Sequence, residues 1–168
     1  MKNFIPFILS FLSFSCTKSY NPAVVSARQE ASEIGLEIMK NGGNAYDAMI
    51  ATHLALAVVH PTAGNIGGGG FFVYYDQSGE SGSLDFREMA PGNAFKDMYL
   101  DENGDVIPDM STLGGAAVGV PGSISAIFKI HSKFGSLPIE DLFEQAINLG
   151  NGKIDYSILK KYYFSFDN

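Results

Sequence analysis

One arginine, Arg87, stands in a setting that could hold a small anionic ligand. It follows Asp85-Phe86 and precedes Glu88-Met89-Ala90-Pro91, at the end of a β-rich run that begins just after four consecutive glycines, Gly67-Gly68-Gly69-Gly70. Each glycine loses more backbone entropy on ordering than any other residue, so such a run makes sense where the main chain turns sharply or approaches something closely. A guanidinium offers a planar fork of donors that matches a carboxylate in a bidentate pair. Glycine backbone beside an arginine at neighbouring strand ends can therefore hold a small anion. The plainer alternative is that Asp85 and Arg87 share a solvated strand face.

Other polar residues carry less. His53 lies inside an apolar helix and reads as a core residue, and His60, before Pro61, reads as a structural hydrogen-bonding residue at a loop. The acidic turn Asp101-Glu102-Asn103-Gly104-Asp105 lacks the ligand spacing and terminal glutamate of a calcium loop. The glycine run follows a helix and precedes a strand, the reverse of a dinucleotide loop, and no lysine follows it as in a P-loop. No metal or cofactor is implied.

The elements that must position Arg87 follow from periodicity and punctuation. Ala23-Val24-Val25-Ser26 reads as a brief buried strand, and a helix is predicted over 27–40, ended by Asn41-Gly42-Gly43. Asn44 with Asp47 three residues on forms an approximate capping box for a second helix over 45–59. That helix is apolar almost all round and should be buried between layers; His60-Pro61 ends it. Strands over 71–75 and 83–87 form a hairpin around Gln77-Ser78-Gly79, with Leu84 and Phe86 facing one way and Asp85 and Arg87 the other. Residues 93–113 read as irregular. The glycine-rich passage 114–122 leads to a helix over 123–134 stopped by Gly135. Pro138, Glu140 and Asp141 start another helix, with Ile139, Leu142, Phe143, Ala146 and Ile147 as its apolar face. The class is α/β, layered.

The 168 residues make one domain or part of one, with 46% hydrophobic and 17% charged residues, enough to bury a core. A net charge of −7 without a lysine–arginine cluster excludes nucleic acid as a partner. One cysteine permits neither a disulfide framework nor a zinc cluster. That residue, Cys16, ends an N-terminal segment of secretory type: Lys2, an apolar run over 4–14, then Ser15-Cys16. The run is too short to span a membrane as a helix. Residues 1–16 thus read as a signal peptide, with Cys16 as the lipidated residue of an exported, periplasmic or outer-membrane-anchored lipoprotein. Against that pattern, Leu12 lies one place too early and Ser13 occupies its position. Residues 17–22 form a linker, 23–150 the folded part and 151–168 a divergent tail.

Six motifs in one order resemble the γ-glutamyltranspeptidases (glutathione hydrolases). They are Gly42-Gly43-Asn44-Ala45-x-Asp47-Ala48; Ala55-Leu56-Ala57-Val58 with His60-Pro61; Gly64-Asn65-x-Gly67-Gly68-Gly69-Gly70-Phe71; Asp85-Phe86-Arg87-Glu88-Met89-Ala90-Pro91; Asp97-Met98-Tyr99-Leu100-Asp101; and Gly119-Val120-Pro121-Gly122. The resemblance implies part of an αββα sandwich of the N-terminal-nucleophile hydrolase type. It implies γ-glutamyl amide cleavage and transfer through a threonine acyl-enzyme, the threonine being the first residue of a small subunit and its α-amine the base. It puts Arg87 on the α-carboxylate of glutathione or another γ-glutamyl compound, requires no cofactor, and places the threonine beyond the matched region, so no catalytic residue is assigned here.

From 151 onward the resemblance fades into Asn151-Gly152-Lys153-Ile154-Asp155-Tyr156 and a Tyr/Phe/Lys-rich tail. The corresponding expectation is an incomplete large subunit, inactive alone, whose small-subunit partner is missing or separately encoded. A genuine short homologue or half of a split enzyme is the alternative. An exported module that binds γ-glutamyl or amino-acid carboxylates without catalysis, and an unrelated exported α/β protein, are the competing functional readings.

Overall fold

The computed structural model describes residues 21–153. Cys16, the apolar leader and most of the divergent tail lie outside them. In chain order the elements are α1 (Gln29–Lys40), α2 (Ala45–Val59), β1 (Phe71–Tyr75), β2 (Ser81–Asp85), α3 (Ser123–Phe134) and α4 (Ile139–Asn148). A 3-10 turn at Gly115–Ala117 precedes α3, and a π turn, Leu149–Lys153, follows α4.

The helices stop and start where their end residues dictate. Asn41 ends α1, Gly42 takes φ +97°, and the amides of Gly42 and Gly43 return to the carbonyls of Met39 and Ile38. That is the Schellman pattern, and it needs a residue tolerant of positive φ. Two residues later Asn44 Oδ1 accepts the amides of Tyr46 and Asp47 at 2.8 and 2.9 Å, while Asp47 Oδ2 accepts the Asn44 amide at 3.0 Å. The capping box is complete. Asp47, fully buried, also accepts from the main-chain amide and hydroxyl of Ser136, and Asn44 Nδ2 donates to the Phe134 carbonyl at 2.7 Å. One helix cap thereby ties the start of α2 to the α3–α4 turn.

No residue of α2 beyond Ala45 is exposed, as its all-round apolar surface requires. It packs chiefly against α1, α3 and α4. Ile38, Ala48, Ile50, Ala51, Leu54, Ala126, Ile127, Ile130, Leu142 and Ala146 form the main core. α1 approaches α2 at Gly35, where an added β-carbon would collide with Thr52 Oγ1.

β1 and β2 pair antiparallel, Phe71 with Asp85 through to Tyr75 with Ser81. The hairpin lays one face on the helices through Phe72, Tyr74 and Leu84; the other face is open, with Phe71, Val73 and Tyr75 exposed. Tyr46 and Phe134 stack at 4.5 Å between ring centroids and meet Phe72 and Tyr74, so an aromatic cluster pins the sheet to the helical layer. Lys133 caps it, 4.7 Å above the Phe134 ring and 3.6 Å from Glu80. The layered α/β class read from the sequence holds: helices on one face of a small antiparallel sheet.

Four expectations are corrected. Residues 23–26 form no strand, and Val25 is 94% exposed, because no partner strand lies alongside them among the described residues. Only Val24 packs on the core, and Ser26 instead bonds to Arg28 and Ser32 at the start of α1. That helix begins at Gln29 rather than 27, since Arg28 is extended. The second strand spans Ser81–Asp85 rather than 83–87: Asp76 Oδ1 accepts from the amides of Ser78 and Glu80, tightening the turn and starting the strand earlier. Of the predicted α4 face, Leu142 and Ala146 are buried but Ile147 is 55% exposed.

Candidate functional site

Arg87 leaves β2 on the open face of the hairpin, as the two-residue period from Asp85 requires. Phe86, between them, turns inward onto the core. Both glycine-rich passages hold the main chain just after the strand. The amide of Phe86 donates to the Gly70 carbonyl at 3.0 Å, and Met89 and Val120 exchange main-chain bonds at 3.0 and 2.8 Å. The Gly68 carbonyl accepts from the amides of Gly122 and Ser123 at 3.0 and 3.1 Å and from Ser123 Oγ at 2.9 Å. That single carbonyl satisfies donors at the start of α3 that otherwise lack an intrahelical partner.

The two passages thus close around 86–88 like a clasp. A β-carbon on Gly69 would stand 2.6 Å from Arg87 Cα, and one on Gly122 would collide with the Phe86 carbonyl oxygen. One on Gly119 would come within 3.0 Å of Glu88 Cβ. Here is the close approach that a run of glycines implies, and its object is the main chain carrying Arg87. The sequence showed that something came close; it did not show what.

The Arg87 side chain is 62% exposed and pairs with Asp85: Nη2 to Oδ2 at 3.0 Å and Nε to Oδ1 at 3.3 Å. The Arg87 amide adds a third bond to Oδ1 at 3.0 Å, and the Phe71 ring centroid lies 4.9 Å from Cζ. Those hydrogen bonds hold the Asp85 carboxyl below the usual carboxylate range and hold Arg87 more firmly protonated. The surrounding groove is lined by Leu84, Met89, Val120, Pro121 and Lys129 among others.

The histidines lie elsewhere. His53 is half-buried in α2, lining a cleft of about 800 Å³ beneath β1 with Tyr46, Met49 and Phe72. Burial pushes its pKa down, and no hydrogen-bond partner from the protein meets it among the described residues; it is a half-buried cleft residue rather than a fully enclosed one. At His60 the loop bonds are made by the carbonyl, which accepts from Ala63 and Gly64; the buried ring Nδ1 has no partner among the described residues, contrary to expectation. His131 Nε2 meets the Leu137 carbonyl at 2.8 Å and braces the α3–α4 turn. In the acidic turn, Asp101 Oδ1 accepts the amides of Asn103 and Asp105, a local Asx arrangement.

Residues 31–156 match the family model described as gamma-glutamyltranspeptidase. The chain belongs to the γ-glutamyltranspeptidase family. It is 48% identical over 131 residues to the glutathione hydrolase proenzyme of Pseudomonas sp. strain A14, covering 78% of this chain and 23% of that protein. Among solved structures, the Helicobacter pylori gamma-glutamyltranspeptidase superposes with a TM-score of 0.73 at 46% identity, over 78% of this chain and 38% of that one. The Pseudomonas nitroreducens gamma-glutamyltranspeptidase, solved with L-DON, gives 0.71 at 37% identity, over 84% and 48%. The chain therefore shares the fold of the matching part of these N-terminal-nucleophile hydrolases, and it spans under a quarter of the length of the curated relatives it matches.

Proposed function

We propose that this γ-glutamyltranspeptidase-family chain supplies the carboxylate-binding part of a large subunit in an enzyme that cleaves and transfers γ-glutamyl groups, glutathione being the substrate type. The observation that carries the reading is Arg87: a guanidinium on the open face of the sheet, its main chain clasped between two glycine passages, within the Asp85-Phe86-Arg87-Glu88 match. In this reading Arg87 takes the substrate's α-carboxylate and fixes the γ-amide at a set distance from it. A threonine hydroxyl from a segment beyond the matched region attacks the γ-carbonyl, the amine leaves, and water or an amino acid accepts the acyl group. Fixing one end of the substrate is how a remote contact lowers the barrier at the other.

Expressed by themselves, residues 1–168 should turn over no γ-glutamyl anilide, since the nucleophile is not assigned to any residue among them. A hybrid in which residues 23–150 replace the matching part of the Pseudomonas glutathione hydrolase proenzyme should mature and hydrolyse glutathione. A hybrid that folds and matures yet never turns over would count against the reading. We further propose export, from Lys2, the apolar run over 4–14 and Cys16.

A further inference from the structure

How Arg87 is aimed is a separate matter from what it binds. Asp85 lies two residues back on the same strand face, directly opposite Phe71 in the register. Its Oδ1 takes the Nε–H and the main-chain N–H of Arg87, and its Oδ2 takes one N–H of Nη2. A guanidinium has five N–H donors in a fixed plane. One edge of the fork, Nε with Nη2, is therefore occupied by a single carboxylate. The end of the fork keeps the two N–H groups of Nη1 and the second of Nη2, which meet no acceptor among the described residues. Phe71 covers the guanidinium, its ring centroid 4.9 Å from Cζ. Side chains that long normally sample many rotamers, and here two side-chain hydrogen bonds and one ring restrict the choice, while the main-chain bond fixes the Asp85 carboxylate.

We propose that Asp85 is a positioning residue for ligand binding: it locks the side edge of the Arg87 guanidinium so that the end edge is presented to a ligand carboxylate. This rests on the reading of Arg87 as the carboxylate-binding residue. Charge alone argues the opposite way. An anion beside the arginine repels a second carboxylate, so if Asp85 acted only through its charge, removing it would tighten ligand binding. Stability does not explain the pair either, because ion pairs this exposed contribute little to folding. Orientation and charge thus predict opposite signs for one substitution.

The full chain has only two arginines, Arg28 and Arg87, so its ¹⁵N spectrum holds two Nε–Hε signals, and Arg87→Lys identifies the one that matters. In the wild type that proton should exchange slowly with water, and glutathione should shift the Arg87 side-chain signals. Asp85→Ala should speed the exchange at least about tenfold and weaken the glutathione response at least about fivefold, with the melting temperature almost unmoved. Asp85→Glu, which keeps a carboxylate on a longer stem, should recover part of both. Unchanged exchange in Asp85→Ala, or glutathione binding as tight as or tighter than the wild type, would overturn the proposal. If Asp85→Ala frees the guanidinium but the wild-type Arg87 signals ignore glutathione, the lock stands and the carboxylate reading falls.

Discussion

Gly69 lies flat against the main chain of Arg87: a β-carbon there would stand 2.6 Å from Arg87 Cα and 2.6 Å from the Phe86 carbonyl oxygen. Both obstacles are backbone, so they cannot swing aside as a flexible side chain would. Gly69→Ala must displace either the glycine passage or the strand end. Overpacking of this kind costs about 1–3 kcal/mol, measurable by denaturant unfolding. In an active hybrid the same change should lower kcat/KM for glutathione, because Arg87 moves with its backbone. Gly92→Ala is the control: nothing lies within 4 Å of that position, and it should leave activity unchanged.

Asp47 should matter for folding and not for ligand. Its carboxylate is fully buried and receives the Asn44 amide together with the Ser136 amide and hydroxyl. Asp47→Ala strands those donors, and a buried polar group left unpaired costs about 1–3 kcal/mol. Denaturation midpoints should fall accordingly, with Asp47→Asn in between. A wild-type midpoint in Asp47→Ala would mean that the cap and the α3–α4 turn are held by other contacts.

His53 should make the fold sensitive to mild acid. Burial lowers its pKa from the ordinary histidine value of 6.5, so between that value and the lower folded one the unfolded chain binds more protons than the folded chain. Stability contributed by the neutral ring is complete above pH 6.5 and is lost as the pH falls through that window. Unfolding curves at about pH 7.5 and about pH 5.5 should differ more in the wild type than in His53→Leu. An equal difference in both would assign the effect to other groups.

Legibility in the sequence divides by range of interaction. The caps at Gly42 and Asn44–Asp47, the bounds of α2 and α3, and the opposite facing of Phe86 and Arg87 were legible because each depends on neighbours within a few residues. The strand expected at 23–26 failed for the converse reason: an apolar run does not supply the partner a strand requires. The clasp was invisible because it joins Gly68 to Ser123, 55 positions apart, and the Asp47–Ser136 bond because it spans 89. The four glycines carried the one available signal, that something must come close, without naming the Arg87 main chain as the object. That His60 Nδ1 meets no partner among the described residues was missed because a polar residue type does not guarantee one.

Cys16 lies outside the described residues and is tested in cells. Cys16→Ser should abolish lipid labelling and shift the mature mass, because the thiol is the proposed acylation point. The same mass and the same membrane partitioning in both forms would rule lipidation out.

Carboxylate binding by Arg87 is decided by substituting that residue in the catalytically complete hybrid. Lysine keeps the charge and loses the planar fork, so Arg87→Lys tests geometry while Arg87→Ala tests the whole interaction. Both proteins should mature normally, since the guanidinium is exposed and its partner Asp85 lies at the surface. Removing one partner from a desolvated, hydrogen-bonded charge pair should lower kcat/KM for glutathione by at least about thirtyfold in Arg87→Ala, with Arg87→Lys already clearly impaired. A loss below about threefold in both variants would contradict carboxylate binding and leave Arg87 as the surface partner of Asp85.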